Sequence, residues 1–136
     1  KAIIAGMTLS TTKAHVVRAA LEAIPYQIKD LVDLMTGQAG VKLKELRVDG
    51  GPTKNRFLMQ FQADMLNATI NRADIEEASA LGAVVMNGLA RGVWKTLDEV
   101  AALRTSDNRI EPKMEAEMRE KLHGGWIEAV KLINRK

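Results

Sequence analysis

The stretch from Leu46 to Asn55 is where this sequence has residue types and spacing suited to ligand chemistry. Leu43 to Val48 alternates apolar and charged side chains and ends β-branched, a pattern that predicts a strand. Asp49-Gly50-Gly51-Pro52 breaks it sharply, and a helix is expected from about Lys54 to Leu66 with Leu58, Phe61 and Met65 on its inner face. In open α/β sheets, ligands sit beyond the carboxyl ends of the strands, where this turn falls. Two adjacent glycines reach backbone angles closed to other residues and let a ligand lie against bare main chain. The following helix start offers unpaired N–H groups and the positive end of its dipole, a seat for phosphate or a polar ligand edge. Asn55 stands one turn past Gly51, about 6 Å along a helix axis, so its amide can reach a ligand lying on the glycines. Gly-Gly-Pro is also an ordinary turn, and these residues alone leave a nucleotide seat and a plain turn both open. Asp49 reads as a turn former whose carboxylate accepts local N–H groups, in preference to a catalytic base.

Other tempting residues carry plainer readings. His15 and His123 lie far apart in the chain and have no cysteine or paired carboxylate at ligand spacing, so no metal site is expected. Met59, Met65 and Met86 are expected to fill a core, and Trp94 and Trp126 to pack the terminal helices. The charges Glu115, Glu117, Arg119, Glu120 and Lys121 read as a solvated helix face with local ion pairs.

The elements that must position the glycine turn follow from periodicity. Ile3 to Met7 suits a short strand or an extended lead-in. Ser10, Thr11 and Thr12 offer N-cap oxygens to a long helix in which Ala20, Ile24, Ile28, Leu31 and Met35 make one apolar stripe facing a core. Pro25 should kink or split that helix, because it lacks an N–H and crowds the carbonyl four residues back; Gly37 and Gly40 end it. Thr69 and Ile70 suit a short strand. A helix from about Glu77 to Ala90 is rich in small residues and is expected to be buried between layers. Thr96 and Glu99 have capping-box spacing for a short helix. A polar loop runs from Arg104 to Asn108, Pro112 marks a restart, and a last helix spans about Glu115 to Ile133, weakened at Gly124-Gly125. The alternation helix, strand, helix, strand, helix, followed by C-terminal helices, is that of an α/β layer structure.

Composition sets the outer bounds. The 136 residues are 46% hydrophobic and 27% charged, those of an ordinary globular chain. No cysteine is present, which removes disulfides and thiolate zinc sites and suits a reducing, cytoplasmic setting. No apolar run approaches the roughly 20 residues of a membrane span. The net charge of +3 comes from basic residues scattered among acids, and two Phe, one Tyr and two Trp make no stacking platform, so no nucleic-acid partner is expected.

Leu46-Arg47-Val48-Asp49-Gly50-Gly51, Asn55 and Leu58-Met59-Gln60-Phe61-Gln62-Ala63-Asp64 closely resemble the C-terminal signature of the FGGY carbohydrate kinases, with the glycerol kinase branch nearest. The resemblance continues through Arg72, Glu77, Ala80-Leu81-Gly82-Ala83 and Gly88 to Trp94, and covers essentially the whole chain in register. Upstream it takes in Gly6-Met7-Thr8, Arg18 to Glu22 and Tyr26-Gln27; downstream, Pro112, Glu115, Gly125 and Trp126. The chain departs from the family at Ala73, where proline is usual, and at Pro25 and Val84, where alanine is usual.

That resemblance implies two domains of the actin-like, ribonuclease H-like ATPase fold, with residues 1–136 forming the C-terminal portion of the second. It implies ATP and Mg2+ as cofactors, with Gly51 and Asn55 contacting the adenine nucleotide and Gly50 in the same turn. The γ-phosphoryl of ATP would pass to a hydroxyl of a polyol or sugar. The catalytic base, the acceptor contacts and most Mg2+ contacts would lie outside this segment, so 1–136 alone is expected to be inactive. A homo-oligomer is implied for the full-length protein. The alternatives are a kinase of a pentulose, tetritol or other sugar, and a non-enzymatic nucleotide-sensing scaffold.

Overall fold

The computed structural model describes residues 2–73, 78–102 and 108–134. Glu77 and the polar stretch 104–107 lie outside the described residues, while Asn108 leads directly into a strand. In chain order the elements are α1 (Lys13–Ala39), β1 (Glu45–Val48), a 3-10 turn (Gly51–Lys54), α2 (Arg56–Leu66), β2 (Thr69–Arg72), α3 (Ala78–Ala90), α4 (Leu97–Ala101), β3 (Arg109–Ile110) and α5 (Ala116–Asn134). Residues 3–7 are an exposed lead-in and form no strand.

The sheet has the order β1-β2-β3. β1 and β2 run parallel with Leu46 opposite Ile70 and Val48 opposite Arg72, joined by α2 as the crossover. β3 pairs antiparallel with β2, Ile70 facing Ile110. Two residues are too short for any periodic signal, which is why β3 was not legible in the sequence.

α2 is the centre of the structure and is buried on two sides. Leu58, Met59, Ala63 and Ile70 form a cluster against the sheet, closed by Leu46, Val48, Leu66 and Ile110. Tyr26, Phe61 and Met65 form a second cluster with Met114, Leu122 and Trp126, between α2, α1 and α5. The expected inner face therefore divides: Leu58 looks to the sheet, while Phe61 and Met65 look to the helices. Asn67 ends α2 in the left-handed conformation at φ 49°, ψ 44°, which asparagine tolerates better than most residues.

α1 starts at Thr12, whose N–H donates to Nδ1 of His15 at 3.1 Å, and stops at Gly40 with φ 65°, as the cap residues predict. His15 is thus a capping residue. The helix runs unbroken through Pro25, so it is not split there. Among the described residues most of its apolar stripe faces no core: Ile24, Leu31 and Met35 are 44%, 57% and 59% exposed, Ile28 is half-buried, and Pro25 and Tyr26 are the buried pair. Tyr26 takes the inward position because it fits between two aromatic partners, edge-on to Phe61 at 5.5 Å and stacked on Trp126 at 5.4 Å. α3 also departs from expectation. Leu81, Val84 and Met86 are exposed and Val85 is its buried residue, so Met86 is not core filler. Small side chains permit close approach to a neighbour but do not compel it; Gly88 is where it occurs, since a Cβ there would strike the ring of Trp94.

α5 is tied to α1 and α2 by polar contacts. Asp30 accepts from the Trp126 indole at 2.7 Å and pairs with His123 Nε2 at 2.8 Å. Arg119 is no solvated surface charge: it donates to the backbone carbonyls of Asp64 (2.7 Å) and Met114 (2.9 Å) and to Asn67 Oδ1 (3.1 Å).

Burial, with Glu22 nearby, pushes the Tyr26 phenol up to about 12 from its ordinary 10.0. The unfolded chain ionises first, so the stability that depends on neutral Tyr26 is whole below pH 10 and is lost as pH rises from about 10 to about 12. Tyr26→Phe is expected to flatten that alkaline loss in a melting-temperature profile; an unchanged profile would place its cause elsewhere.

Candidate functional site

The segment after β1 folds as a tight knot before α2 begins. Gly50 has φ 90° and ψ 173°, a region open in practice to glycine alone. Its carbonyl accepts both the N–H of Thr53 (3.1 Å) and the Thr53 hydroxyl (2.7 Å), and Asn55 N–H donates to the Pro52 carbonyl (3.1 Å). These bonds make one 3-10 turn with Pro52 at a position where its missing N–H costs nothing. Helix α2 therefore starts at Arg56, two residues later than the sequence suggests.

Gly51 differs from Gly50. It has no positive φ, lies exposed, and a Cβ placed on it meets no heavy atom within 4 Å. Among the described residues nothing requires glycine at position 51, and the space beside its backbone is open.

Asn55 is the N-cap of α2, its Oδ1 accepting from the Leu58 N–H at 3.1 Å. The cap consumes the acceptor end of the amide and leaves Nδ2 as a donor with no partner among the described residues. The three residues singled out in the sequence thus stand together at the carboxyl end of β1. Asp49 is exposed and accepts no hydrogen bond among the described residues. The Gly50 carbonyl does the turn-closing expected of its carboxylate, since a main-chain acceptor already sits inside the turn.

One residue at this site was not placed there by sequence reasoning. Arg72, the last residue of β2, donates Nη1 to the Thr53 carbonyl at 3.1 Å. Alongside it the Ala73 N–H bonds to the Val48 carbonyl at 2.8 Å, extending the pairing of the strands to the turn. Only the parallel register brings Arg72 to the turn, although its place at a strand end was a usable signal.

A cleft of about 520 Å³ lies elsewhere, between the start of α1 and Phe57. Its walls of Lys13, Ala14, Val17, Arg18, Leu21 and Phe57 are mainly apolar and converge no set of polar groups on one point, so the turn is the better candidate despite being an open rim. Among the described residues no group of three or more His, Cys, Asp or Glu could hold a metal ion. No helix among them is long and apolar enough to cross a membrane.

The sequence profile of the FGGY family of carbohydrate kinases, C-terminal domain, matches residues 1–91. The chain belongs to the FGGY family of carbohydrate kinases. Its similarity to glycerol kinases extends beyond the matched region. It is 49% identical to the glycerol kinase of Bacillus velezensis over 125 residues, 92% of this chain and 25% of that protein. It is 48% identical to glycerol kinase 2 of Thermotoga maritima over 130 residues, 96% of this chain and 26% of that protein. The crystal structure of Plasmodium falciparum glycerol kinase with ADP superposes with a TM-score of 0.87 at 40% identity, covering 97% of this chain and 26% of the other. The chain therefore spans about a quarter of the length of these relatives. Its mixed α/β fold is that of FGGY C-terminal, actin-like ATPase domains, as the sequence predicted.

Proposed function

We propose that this chain is the nucleotide-binding part of an ATP-dependent, glycerol kinase-like phosphotransferase, with Gly50, Gly51 and Asn55 forming one wall of the ATP site. The observation that carries this reading is Gly51: among the described residues nothing occupies the space where its side chain would be, and the backbone there is bare. A flat, neutral ligand edge such as adenine fits that opening. Asn55 Nδ2 is the adjacent donor, held in place because its own Oδ1 is fixed by the cap. Support comes also from the relatives named as glycerol kinases and from the Plasmodium enzyme's structure with ADP.

When bound, Mg·ATP supplies a γ-phosphoryl group for transfer to an acceptor hydroxyl, a reaction that depends chiefly on positioning and charge stabilisation. This chain's share is to bind and orient the nucleotide. The acceptor site, the catalytic base and most Mg2+ contacts belong to the remaining three-quarters that the relatives carry. On this reading the full-length protein is a kinase of glycerol or of another polyol or sugar.

Asn55→Ser in the full-length protein tests the reading. Serine caps a helix nearly as well as asparagine, so the melting temperature should hold. The amide donor is lost, which at about 0.5–1.5 kcal/mol should raise the Michaelis constant for ATP roughly twofold to tenfold. The acceptor constant should not move. An effect confined to the acceptor constant would place Asn55 at the acceptor and not at the nucleotide.

A further inference from the structure

The guanidinium of Arg72 is an unusual group to find where it is. Its Nε is buried without a hydrogen-bond partner, and Nη1 spends its charge on a neutral carbonyl, that of Thr53. Among the described residues no carboxylate lies within ion-pair distance of it. The side chain is half-buried, so the arrangement takes one guanidinium N–H out of water unpaired while making one bond to the turn. An apolar side chain of similar length would fill the same space without that cost. A group that departs from the low-energy choice in this way is expected where function sets the requirement.

The bond goes to the middle of the functional turn. Thr53 closes the turn through its N–H and hydroxyl on the Gly50 carbonyl, so fixing the Thr53 carbonyl from outside completes a three-point hold on the backbone. Gly51 and the Asn55 cap lie on either side of that residue. The support itself is rigid, because β2 is the central strand and the Ala73 N–H locks its end to Val48.

We propose that Arg72 is a positioning residue for the nucleotide: it touches no ligand, and by holding the Thr53 carbonyl it sets the Gly51 backbone and the Asn55 amide at the spacing the ligand needs. The inference rests on the nucleotide reading of the turn given above. A turn without this hold samples other geometries, and its affinity falls by the fraction of time spent in the competent one.

The test uses Arg72→Met and Arg72→Lys in the full-length protein, with ATP and glycerol as the varied substrates and Gly51→Val as the reference variant. For Arg72→Met the Michaelis constant for ATP should rise roughly threefold to tenfold, the size expected for one hydrogen bond. The glycerol constant and kcat should stay near wild type. Arg72→Lys, which keeps one donor, should recover part of the loss. A purely structural arginine would lower the melting temperature and leave the ATP constant unchanged in the folded variant; that result, or an equal rise in both constants, overturns the proposal. If Gly51→Val loses ATP while Arg72→Met keeps it, only the role of Arg72 falls. If Gly51→Val binds ATP normally, the nucleotide reading of the turn falls first.

Discussion

Gly51→Val is expected to abolish ATP binding by the full-length protein while leaving it folded. The two glycines of the turn have separate duties, and that separation makes the result interpretable. At Gly51 the backbone angle is ordinary and the Cβ position opens on empty space, so valine meets no steric conflict among the described residues. A substitution at such an exposed site usually changes stability by about 0.5 kcal/mol or less. A ligand lying on the backbone would collide with the branched side chain directly. At Gly50 the opposite holds, because φ 90° with ψ 173° strains any side chain by about 1–3 kcal/mol. Gly50→Ala should therefore lower the melting temperature by several degrees and serves as the structural comparison. Isothermal titration with ATP and thermal melts on both variants separate the two effects. Normal ATP affinity in Gly51→Val would show that the nucleotide does not lie on this turn.

The largest expected stability loss outside the apolar core follows from Asp64→Ala. Asp64 is almost fully buried on α2, and its Oδ1 accepts from the Lys113 N–H (2.6 Å), the Met114 N–H (3.2 Å) and Gln60 Nε2 (3.1 Å). Those two N–H groups belong to the segment that leads into α5, so one carboxylate holds the start of the last helix against the central one. Hydrogen bonds to charged groups contribute about 1.5–3 kcal/mol each and are not additive here, since they share one acceptor. A loss of about 3 kcal/mol is the reasonable expectation, with orphaned donors adding to the lost bonds. Arg119 clasps the same junction through the Asp64 and Met114 carbonyls, so it should limit the damage to loosening of α5. The stack of Trp126 on Tyr26 makes this visible as a change in tryptophan fluorescence. Asp64→Asn, which keeps one acceptor, should lose less. An unchanged melting temperature in Asp64→Ala would mean that the apolar cluster around Phe61 and Met65 holds α5 without the carboxylate.

What was legible in the sequence was chemistry that acts within a few residues. The strand ending at Val48, the glycine break, the Thr12 and Thr96 caps and the left-handed stop at Gly40 all depend on local backbone sterics and short hydrogen bonds, so residue identity suffices to place them. The proximity of Gly50, Gly51 and Asn55 was legible for the same reason. What each does was not: Gly51 and Gly50 look alike in sequence, and only the folded turn shows which one needs its backbone angle. The faces of the helices were also decided at long range. α1 turns Pro25 and Tyr26 inward instead of Ile24, Leu31 and Met35 because the Phe61–Trp126 aromatic slot, built from α2 and α5, accepts Tyr26. α3 carries small residues that fit a close partner, yet it lies largely exposed among the described residues. Arg72 reaches Thr53 across 19 positions and Arg119 reaches Asp64 across 55. Those contacts exist only because parallel pairing and the docking of α5 bring distant segments together, and periodicity carries no record of either.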